Sequence, residues 1–268
     1  MTDALRLLCV LAHPDDESLG TGGTLARYAA EGIECYVITA TRGERGWTGD
    51  PSEYPGPVAL GKRREGELMA AAKILGVREV SFLDYMDGDL DKANAVEAIG
   101  KIARHVRRIQ PQVVISFGSD GVYGHPDHIA ISQFTGAALV AAADPTYPHS
   151  DLPQHRVAKF YHMALIQEQA DLYQTTFGSI AMDIDGVLRT ANIWPDWSLS
   201  AWVDAEAYWA TVWKAVLCHQ SQLPAYGKLV TFTEEHHRKL WNHQTYYRVY
   251  SLVNGGRTLE RDLFEGLR

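Results

Sequence analysis

The sequence predicts an α/β fold with a mainly parallel sheet and helices on both of its faces. Short apolar runs typical of strands alternate with longer helix-like runs through the first 145 residues or so. The strand-like runs are continuously rich in Val, Ile, Leu and Phe, as expected when helices cover both faces of a sheet. Right-handed strand–helix–strand crossovers produce this alternation.

Four strand–helix pairs follow one another in order. The strands read LRLLCVLA, ECYVITAT, VSFLD and VVISF, and each precedes a longer helix-like run. The predicted pairs are 5–12 with 18–31, 34–41 with 60–75, 80–84 with 94–109, and 113–117 with 126–142. Functional residues of such a Rossmann-like sheet are expected in the loops at the carboxyl ends of its strands.

The alternation weakens after about residue 145. Further strands are predicted at 159–166 and 180–184, and a helix at 204–220 with tryptophans on its apolar stripe. We therefore expect a single domain, in which 1–145 form the core and 146–268 form an irregular extension packed on it. Two other segments read as a proline-rich loop at 48–57 and a solvated helical face in TEEHHRKLWNH.

Composition excludes several classes of function. The chain has 268 residues, 46% of them hydrophobic, and a formal charge of −8, so it lacks the basic surface of a nucleic-acid or anionic-membrane binder. The first apolar run is too short for a signal peptide, and no run approaches a membrane span. Three widely spaced cysteines suggest free thiols in the cytoplasm. The oligomeric state stays open, a homo-oligomer included.

The tripeptide His-Pro-Asp occurs twice, as HPDD at 13–16 and HPDH at 125–128. Each copy follows a predicted strand and opens a predicted helix, so both copies should reach the same edge of a parallel sheet. Asp15 and Asp127 also suit the first turn of a helix, where the dipole favours acids. That interpretation explains one acid per helix, but it does not explain two copies with flanking histidines.

The two motifs together predict a metal site. A catalytic zinc ion takes three protein ligands, with imidazole nitrogen and carboxylate oxygen among them, and keeps one position open for water. Two histidines and one acid fit this number, which leaves neighbouring acids to handle protons. A divalent cation also offsets the cost of grouping carboxylates in a closed cleft. Imidazole and carboxylate suit Fe²⁺ as well as Zn²⁺.

Several spaced motifs resemble the LmbE-like family of metal-dependent de-N-acetylases, which includes the glycosylphosphatidylinositol-precursor de-N-acetylase. The resemblance spans roughly residues 5 to 220 and is closest to the bacterial members of the mycothiol and bacillithiol pathways. The motifs that carry it are AHPDDESLGTGGTLARYAAEG, TRGERG, RREGEL, GVYGHPDH, KFY and KAVLCHQSQ. The tail ERDLFEGL also looks like that of the mycothiol-related members.

The resemblance implies a role for individual residues. It implies metal ligation by His13, Asp16 and His128, with Asp15 as the general base. It further implies transition-state stabilisation by His125, carbonyl polarisation by Tyr123, orientation of an imidazole by Asp127, and substrate contacts from Glu44, Arg64 and Asp87. For Arg64, an ion pair with Glu67 three residues later on the same helix is an equally good interpretation.

The leading hypothesis is a zinc-dependent hydrolase that releases acetate from an N-acetylglucosamine conjugate, a small molecule. A rival within the same chemistry is an amidase acting on mycothiol-type S-conjugates, because one metal site serves both reactions. A non-catalytic Rossmann-like ligand-binding protein is the alternative from another class. Phosphoryl transfer is disfavoured because the sequence lacks a phosphate-cradling glycine loop.

Overall fold

The computed structural model describes residues 4–148, 151–178, 181–184, 186–225 and 227–268. Its strands are β1 (Arg6–Leu11), β2 (Glu34–Thr41), β3 (Val77–Tyr85), β4 (Val113–Ser116), β5 (Lys159–Met163), β6 (Ala181–Ile184), β7 (Val187–Thr190), β8 (Ala201–Asp204) and β9 (His243–Ser251). Its α-helices are α1 (Asp16–Ala30), α2 (Pro57–Leu75), α3 (Ala95–Ile109), α4 (Gly121–Gly124), α5 (Pro126–Ala143), α6 (Gln167–Phe177), α7 (Trp209–Val216) and α8 (Glu234–Trp241).

The main sheet has seven strands in the order β3-β2-β1-β4-β5-β9-β8. The strands β1 to β5 run parallel to their neighbours, whereas β9 is antiparallel to both β5 and β8. Successive connections move outward from β1 to β3 and then return to β4 beside β1. The sheet therefore has its topological switch point between β1 and β4, which is where ligands bind in open α/β sheets.

Helices cover both faces because right-handed crossovers place α1 and α2 on one face and α3 and α5 on the other. In agreement, α3 packs against α5, while α1 packs against α2 and α7. The central strand β1 is buried, with Leu7, Leu8, Cys9, Val10 and Leu11 all fully inaccessible. The predicted mainly parallel α/β fold is confirmed, and none of the described helices is long and apolar enough to cross a bilayer.

The second half of the chain departs most from the predicted elements. The predicted helix at 204–220 covers too much, because Ala201–Asp204 form β8 and the α-helix runs only from Trp209 to Val216. The strand predicted at 180–184 is β6, which pairs antiparallel with β7, and Ile180 lies outside the described residues. The histidine-rich segment is a solvated face only in part: the charged residues of α8 are exposed, but His237 in the middle of α8 and His243 at the start of β9 are buried.

A buried ionic cluster joins the C-terminal segment to the sheet. Glu260 is 1% exposed, and its carboxylate accepts hydrogen bonds from Lys159 Nζ at 2.5 Å and Tyr161 Oη at 2.6 Å, both on β5. On β9, Arg248 Nη1 lies 3.0 Å from the same carboxylate. The extension thus supplies three strands of the main sheet and is anchored by charged groups as well as by apolar packing.

Candidate functional site

The residues after β1 form a tight turn that returns a carboxylate to the strand end. Asp16 Oδ2 accepts hydrogen bonds from the backbone amides of His13, at 2.7 Å, and Ala12, at 3.2 Å. These bonds hold the Asp16 side chain over the carboxyl end of the strand. Its Oδ1 atom is left pointing towards His128, whose Nε2 lies 3.6 Å away.

The His13 ring is oriented by two acids on the side away from Asp16. Its Nε2 atom lies 3.1 Å from both Asp127 Oδ2 and Asp87 Oδ1. Asp127 is fully buried and also accepts the backbone amides of Gly88, at 2.7 Å, and Leu90, at 3.1 Å. Because Nε2–H donates to the acids, the Nδ1 lone pair faces the site, which is how carboxylates orient metal-binding histidines.

His128 completes a converging set of ligand atoms. Its Nδ1 donates to the carbonyl of Gly121 at 3.2 Å, and its Nε2 lies 3.3 Å from His13 Nδ1. Its ring stacks on Phe117 with 3.9 Å between ring centres, which limits its rotation. One ligand atom each from His13, Asp16 and His128 lies within 4.8 Å of the others, so these three residues fit a divalent cation.

A second set, His13 with His125 and Asp127, meets the same distance limit. Both oxygens of Asp127 already accept backbone amides, and the residue is fully buried. Asp16 and His128, in contrast, line a cavity at the sheet edge. The set with Asp16 and His128 is therefore the better metal site, with Asp127 as an orienting partner behind His13.

Electrostatics in this cluster favour a bound cation. Burial alone would lower the pKa of His13, but hydrogen bonds with Asp127 and Asp87 raise it well above the usual value. Burial, together with the charge of His13, lowers the pKa of His128 well below its usual value. Burial also raises the pKa of Asp16 to about 7. A divalent cation would lower the raised pKa values of His13 and Asp16 and keep His128 neutral, because it favours neutral imidazole and ionised carboxylate ligands.

Asp15 has a backbone conformation that residues other than glycine rarely adopt, with φ 119° and ψ −26°. Its amide donates to Glu17 Oε2 at 3.0 Å, and its carboxylate accepts from Arg64 Nη2 at 3.2 Å. Asp15 lines the same cavity as Asp16 and His128. Strain of this kind is characteristic of functional sites, and here it places a carboxylate beside the candidate metal ligands.

Arg64 is a buried support for the turn rather than a helix-surface partner of Glu67. Its guanidinium donates to the carbonyls of Gly43, at 3.0 Å, and Pro14, as well as to Asp15. Glu67 instead pairs with Arg63 and accepts two hydrogen bonds from Ser221, one from its amide at 2.8 Å and one from its Oγ at 2.6 Å. The interpretation of Arg64 as an ion-pair partner of Glu67 is therefore wrong.

Glu44 and Asp87 lie on the β2–β3 side of the site. Glu44 Oε2 accepts the backbone amides of Arg42, at 3.2 Å, and Asp87, at 3.3 Å. Asp87 is buried against His13, and this hydrogen bond, acting against burial, lowers the pKa of its carboxyl group. The structure thus places Asp87 beside a candidate metal ligand, while its contact with substrate, like that of Glu44, stays a prediction.

His125 and Tyr123 face the candidate metal ligands from the segment after β4. The His125 ring centre lies 4.7 Å from that of His13 and 4.6 Å from that of His128, and its Nδ1 accepts the amide of Asp127 at 3.1 Å. Burial lowers the pKa of His125 to about 4. Tyr123 lines the cavity, and burial raises the pKa of its hydroxyl, which keeps it a proton donor at neutral pH.

The sequence did not predict the pairing of Glu17 with His219. Both residues are buried, and His219 Nε2 donates to Glu17 Oε1 at 2.8 Å. Ser18 Oγ donates to the same oxygen, while Glu17 Oε2 accepts the amide of Asp15. The motifs HPDDE and HQSQ carry the signal, since each places one of these charged residues near the site, but only the fold shows that they meet.

A cavity of about 480 Å³ opens beside the candidate metal ligands. Asp15, Asp16, Tyr123 and His128 line one end of it. Most of its remaining wall comes from the segment after β5, from α6 and α8, and from the start of β9. These residues could not be found from sequence, because β9 and its antiparallel approach to the sheet edge were not predicted.

Comparison with known proteins identifies one family whose model includes both His-Pro-Asp motifs. The family model of GlcNAc-PI de-N-acetylase (PIG-L) matches residues 8–139, a range that contains both copies of His-Pro-Asp. A deacetylase of Streptomyces avermitilis is 35% identical over 296 aligned residues, which cover 98% of this chain and 97% of that protein. The chain belongs to the GlcNAc-PI de-N-acetylase family. The predicted resemblance is confirmed.

Other members of this family extend the match to the whole chain. The Streptomyces griseus relative is 34% identical over 296 aligned residues and covers 98% of this chain and 89% of its own length. Both streptomycete proteins are named 1D-myo-inositol 2-acetamido-2-deoxy-α-D-glucopyranoside deacetylase. The crystal structure of a conserved protein from Thermus thermophilus superimposes with a TM-score of 0.64 and 26% identity, covering 94% of this chain and 97% of that one.

Proposed function

We propose that this chain is a metal-dependent hydrolase that removes the N-acetyl group from an N-acetylglucosamine conjugate, releasing acetate and a free amine. The observation that carries the proposal is the convergence of His13 Nδ1, Asp16 and His128 Nε2 beside the strained Asp15. Family membership and the names of the full-length relatives support deacetylation over the amidase and ligand-binding alternatives. Their inositol glycoside is the first substrate to test.

We propose Zn²⁺ as the ion, held by His13, Asp16 and His128, because zinc suits two imidazoles and a carboxylate, although Fe²⁺ takes the same ligands. When bound, a divalent cation supplies a Lewis acid that polarises the amide carbonyl and lowers the pKa of water. Asp127 and Asp87 keep the His13 ring turned towards the ion.

The remaining residues handle protons and charge. Asp15 accepts the proton of the attacking water as general base, with Arg64 holding its carboxylate. The Tyr123 hydroxyl donates a hydrogen bond to the carbonyl oxygen as negative charge develops there, and His125 stabilises the same charge. We assign the sugar to the β2–β3 side, where Glu44 lies with Arg64 and Asp87 behind the site.

We further propose that the enzyme works on a small molecule in the cytoplasm. Cys9, Cys35 and Cys218 are free thiols, as in a reducing compartment. The formal charge of −8 gives no electrostatic attraction to nucleic acid or to anionic lipid.

Acetate release by the full chain tests the proposal. The protein would be loaded with Zn²⁺ and given the inositol glycoside of N-acetylglucosamine, with metal content measured on the same sample. Asp15→Asn keeps the size of the side chain and removes the base, so we expect kcat to fall by about 10² to 10⁴. Zinc content should stay near one ion per chain, because Asp15 is not in the proposed ligand set.

Asp91→Asn is the matched control, since Asp91 is an exposed acid in the loop after β3. It should keep wild-type kcat and zinc content. Full activity of Asp15→Asn, or the absence of stoichiometric metal from active protein, would contradict the mechanism.

A further inference from the structure

The cavity beside the candidate metal ligands extends away from the polar side of the site. Glu44 follows β2 and Asp87 follows β3, on one side of the switch point between β1 and β4. The cavity instead runs past the end of β5 to the start of β9, on the other side. An amide bound between these two sides therefore meets charged groups at one substituent and this cavity at the other.

Apolar side chains make up most of the cavity wall. They come from α1, from the segments after β4 and β5, and from α8. Those that matter most are Leu19, Phe117, Met163, Leu165, Leu240 and Trp241. Gln169, Gln244 and Thr245 also line the cavity, but its wall is mainly apolar and gains free energy by burying hydrocarbon of the substrate. The occupant of this end is therefore an apolar part of the substrate.

The cavity is also much larger than the acetyl group it adjoins. A methyl group has about the volume of a water molecule, roughly 30 Å³, which is less than a tenth of the cavity of about 480 Å³. Space on this scale beside the ligands indicates that the acyl group has room to be longer.

Two polar residues on the wall, His243 and Gln244, each carry one buried nitrogen without a hydrogen-bond partner among the described residues. Gln244 Oε1 accepts both the amide and the hydroxyl of Thr24 at 2.6 Å, and Gln244 Nε2 has no partner within the described part of the chain. His243 stacks on Trp202 with 3.9 Å between ring centres, and its Nε2 likewise has no partner among the described residues. Both nitrogens are buried rather than exposed to the cavity, so they do not change the mainly apolar character of its lining.

We propose that this cavity is an acyl pocket, so that the chain hydrolyses glucosamine conjugates whose N-acyl group is a linear chain of about four to six carbons. The inference rests on the proposed function and uses the same site. Water adds across the amide: its hydroxyl oxygen bonds to the acyl carbon, the C–N bond breaks, and a proton goes to the leaving nitrogen. The products are a short fatty acid and the free amine, with no other reactant.

The first test compares two conjugates that differ only in the acyl group. The zinc-loaded full chain would be assayed for amine release from the N-acetyl and N-hexanoyl forms of the glucosaminyl inositol. We expect kcat/KM for the hexanoyl substrate to equal or exceed that for the acetyl substrate, chiefly through a lower KM. A lower kcat/KM for hexanoyl overturns the acyl pocket and leaves the deacetylase intact, whereas hydrolysis of neither substrate overturns both.

The second test narrows the cavity. Leu165 is a half-buried wall residue just beyond β5, and Leu165→Trp should reduce the ratio of hexanoyl to acetyl kcat/KM at least tenfold. Leu252→Trp makes the same change at a leucine that is 57% exposed and outside the cavity, so it should keep the wild-type ratio. An unchanged ratio in Leu165→Trp would overturn the assignment of this wall.

Discussion

The backbone of Asp15 is held in its strained conformation by a buried charged neighbour. Glu17 accepts the Asp15 amide through one carboxylate oxygen and binds His219 through the other. Burial alone would raise the pKa of Glu17, but the charge of His219 lowers it below its usual value. Burial alone would lower the pKa of His219, but the charge of Glu17 raises it above its usual value. The pair ties the start of α1 to the segment after α7 and positions the proposed base.

Glu17→Gln is therefore expected to lower kcat by about 10- to 100-fold, the usual effect of removing a partner that orients a catalytic group. The amide keeps the size of the side chain but removes the charge that holds His219. Steady-state kinetics of the zinc-loaded protein would measure kcat and KM together with metal content. Glu31→Gln, at the exposed end of the same helix, should behave as wild type. Wild-type kcat in Glu17→Gln would contradict a positioning role.

At the scale of elements, α1 packs unusually close to the loop after β8. A Cβ atom at Gly23 would lie 2.5 Å from the Cβ of Ala205, so only glycine permits this approach. Gly66, in the middle of α2, has no such neighbour within 4 Å and is exposed. An added methyl group would therefore clash with a neighbour at Gly23 but extend into open space at Gly66.

Gly23→Ala should lower the free energy of unfolding by about 1–3 kcal/mol through overpacking. Gly66→Ala should instead raise it by about 0.5–1 kcal/mol, because alanine is the better helix former in open space. Urea unfolding of both variants, followed by circular dichroism, measures the two changes. Equal shifts in the two variants would show that the close approach of α1 does not limit packing.

The elements that the sequence predicts well are those with local signals. The runs β1, β2 and β4 are continuous and apolar, and Pro126 marks the start of α5 at a position that needs no amide partner. The strand β9 has no such signal, because its partner β5 lies more than 80 residues earlier and its first residues continue a histidine-rich helix. The short strand β8 was not predicted either, and only its last residue, Asp204, falls within the helix predicted at 204–220.

The residues of the candidate site likewise fall into those with a local sequence signal and those without one. His13, Asp15, Asp16, His125 and His128 lie in two short motifs, so their chemistry is visible in sequence. The cavity wall and the pairing of Glu17 depend on residues that only the sheet order brings together. Long-range topology, rather than residue type, therefore limits what the sequence alone can predict here.

At the scale of the whole molecule, the ionic cluster around Glu260 links stability to pH. Burial alone would raise the pKa of Glu260, but hydrogen bonds from Lys159, Tyr161 and Asn254 lower it below its usual value. Because the folded pKa is the lower one, the stabilisation is complete above the unfolded pKa near 4.5. It is lost as the pH falls through the folded pKa.

Glu260→Gln should lower the free energy of unfolding at pH 7 by about 3–5 kcal/mol, because Lys159 is left as a buried unpaired charge. The variant should also lose less stability than wild type as the pH falls below about 4.5, because it lacks the carboxyl group whose protonation destabilises the wild-type fold. Urea unfolding across this range measures both effects. Glu235→Gln removes an exposed pair with Lys239 and should keep the wild-type profile. An unchanged pH dependence in Glu260→Gln would contradict the link.

The antiparallel direction of β9 has a consequence for how this enzyme diversifies. Because β9 starts at the edge where the parallel strands end, the later half of the chain supplies much of the cavity wall, while both metal motifs lie in the earlier half. Both metal motifs are thus separate in sequence from much of the cavity wall. Substitutions in the later half can therefore alter the acyl preference proposed for the cavity while both metal motifs stay unchanged.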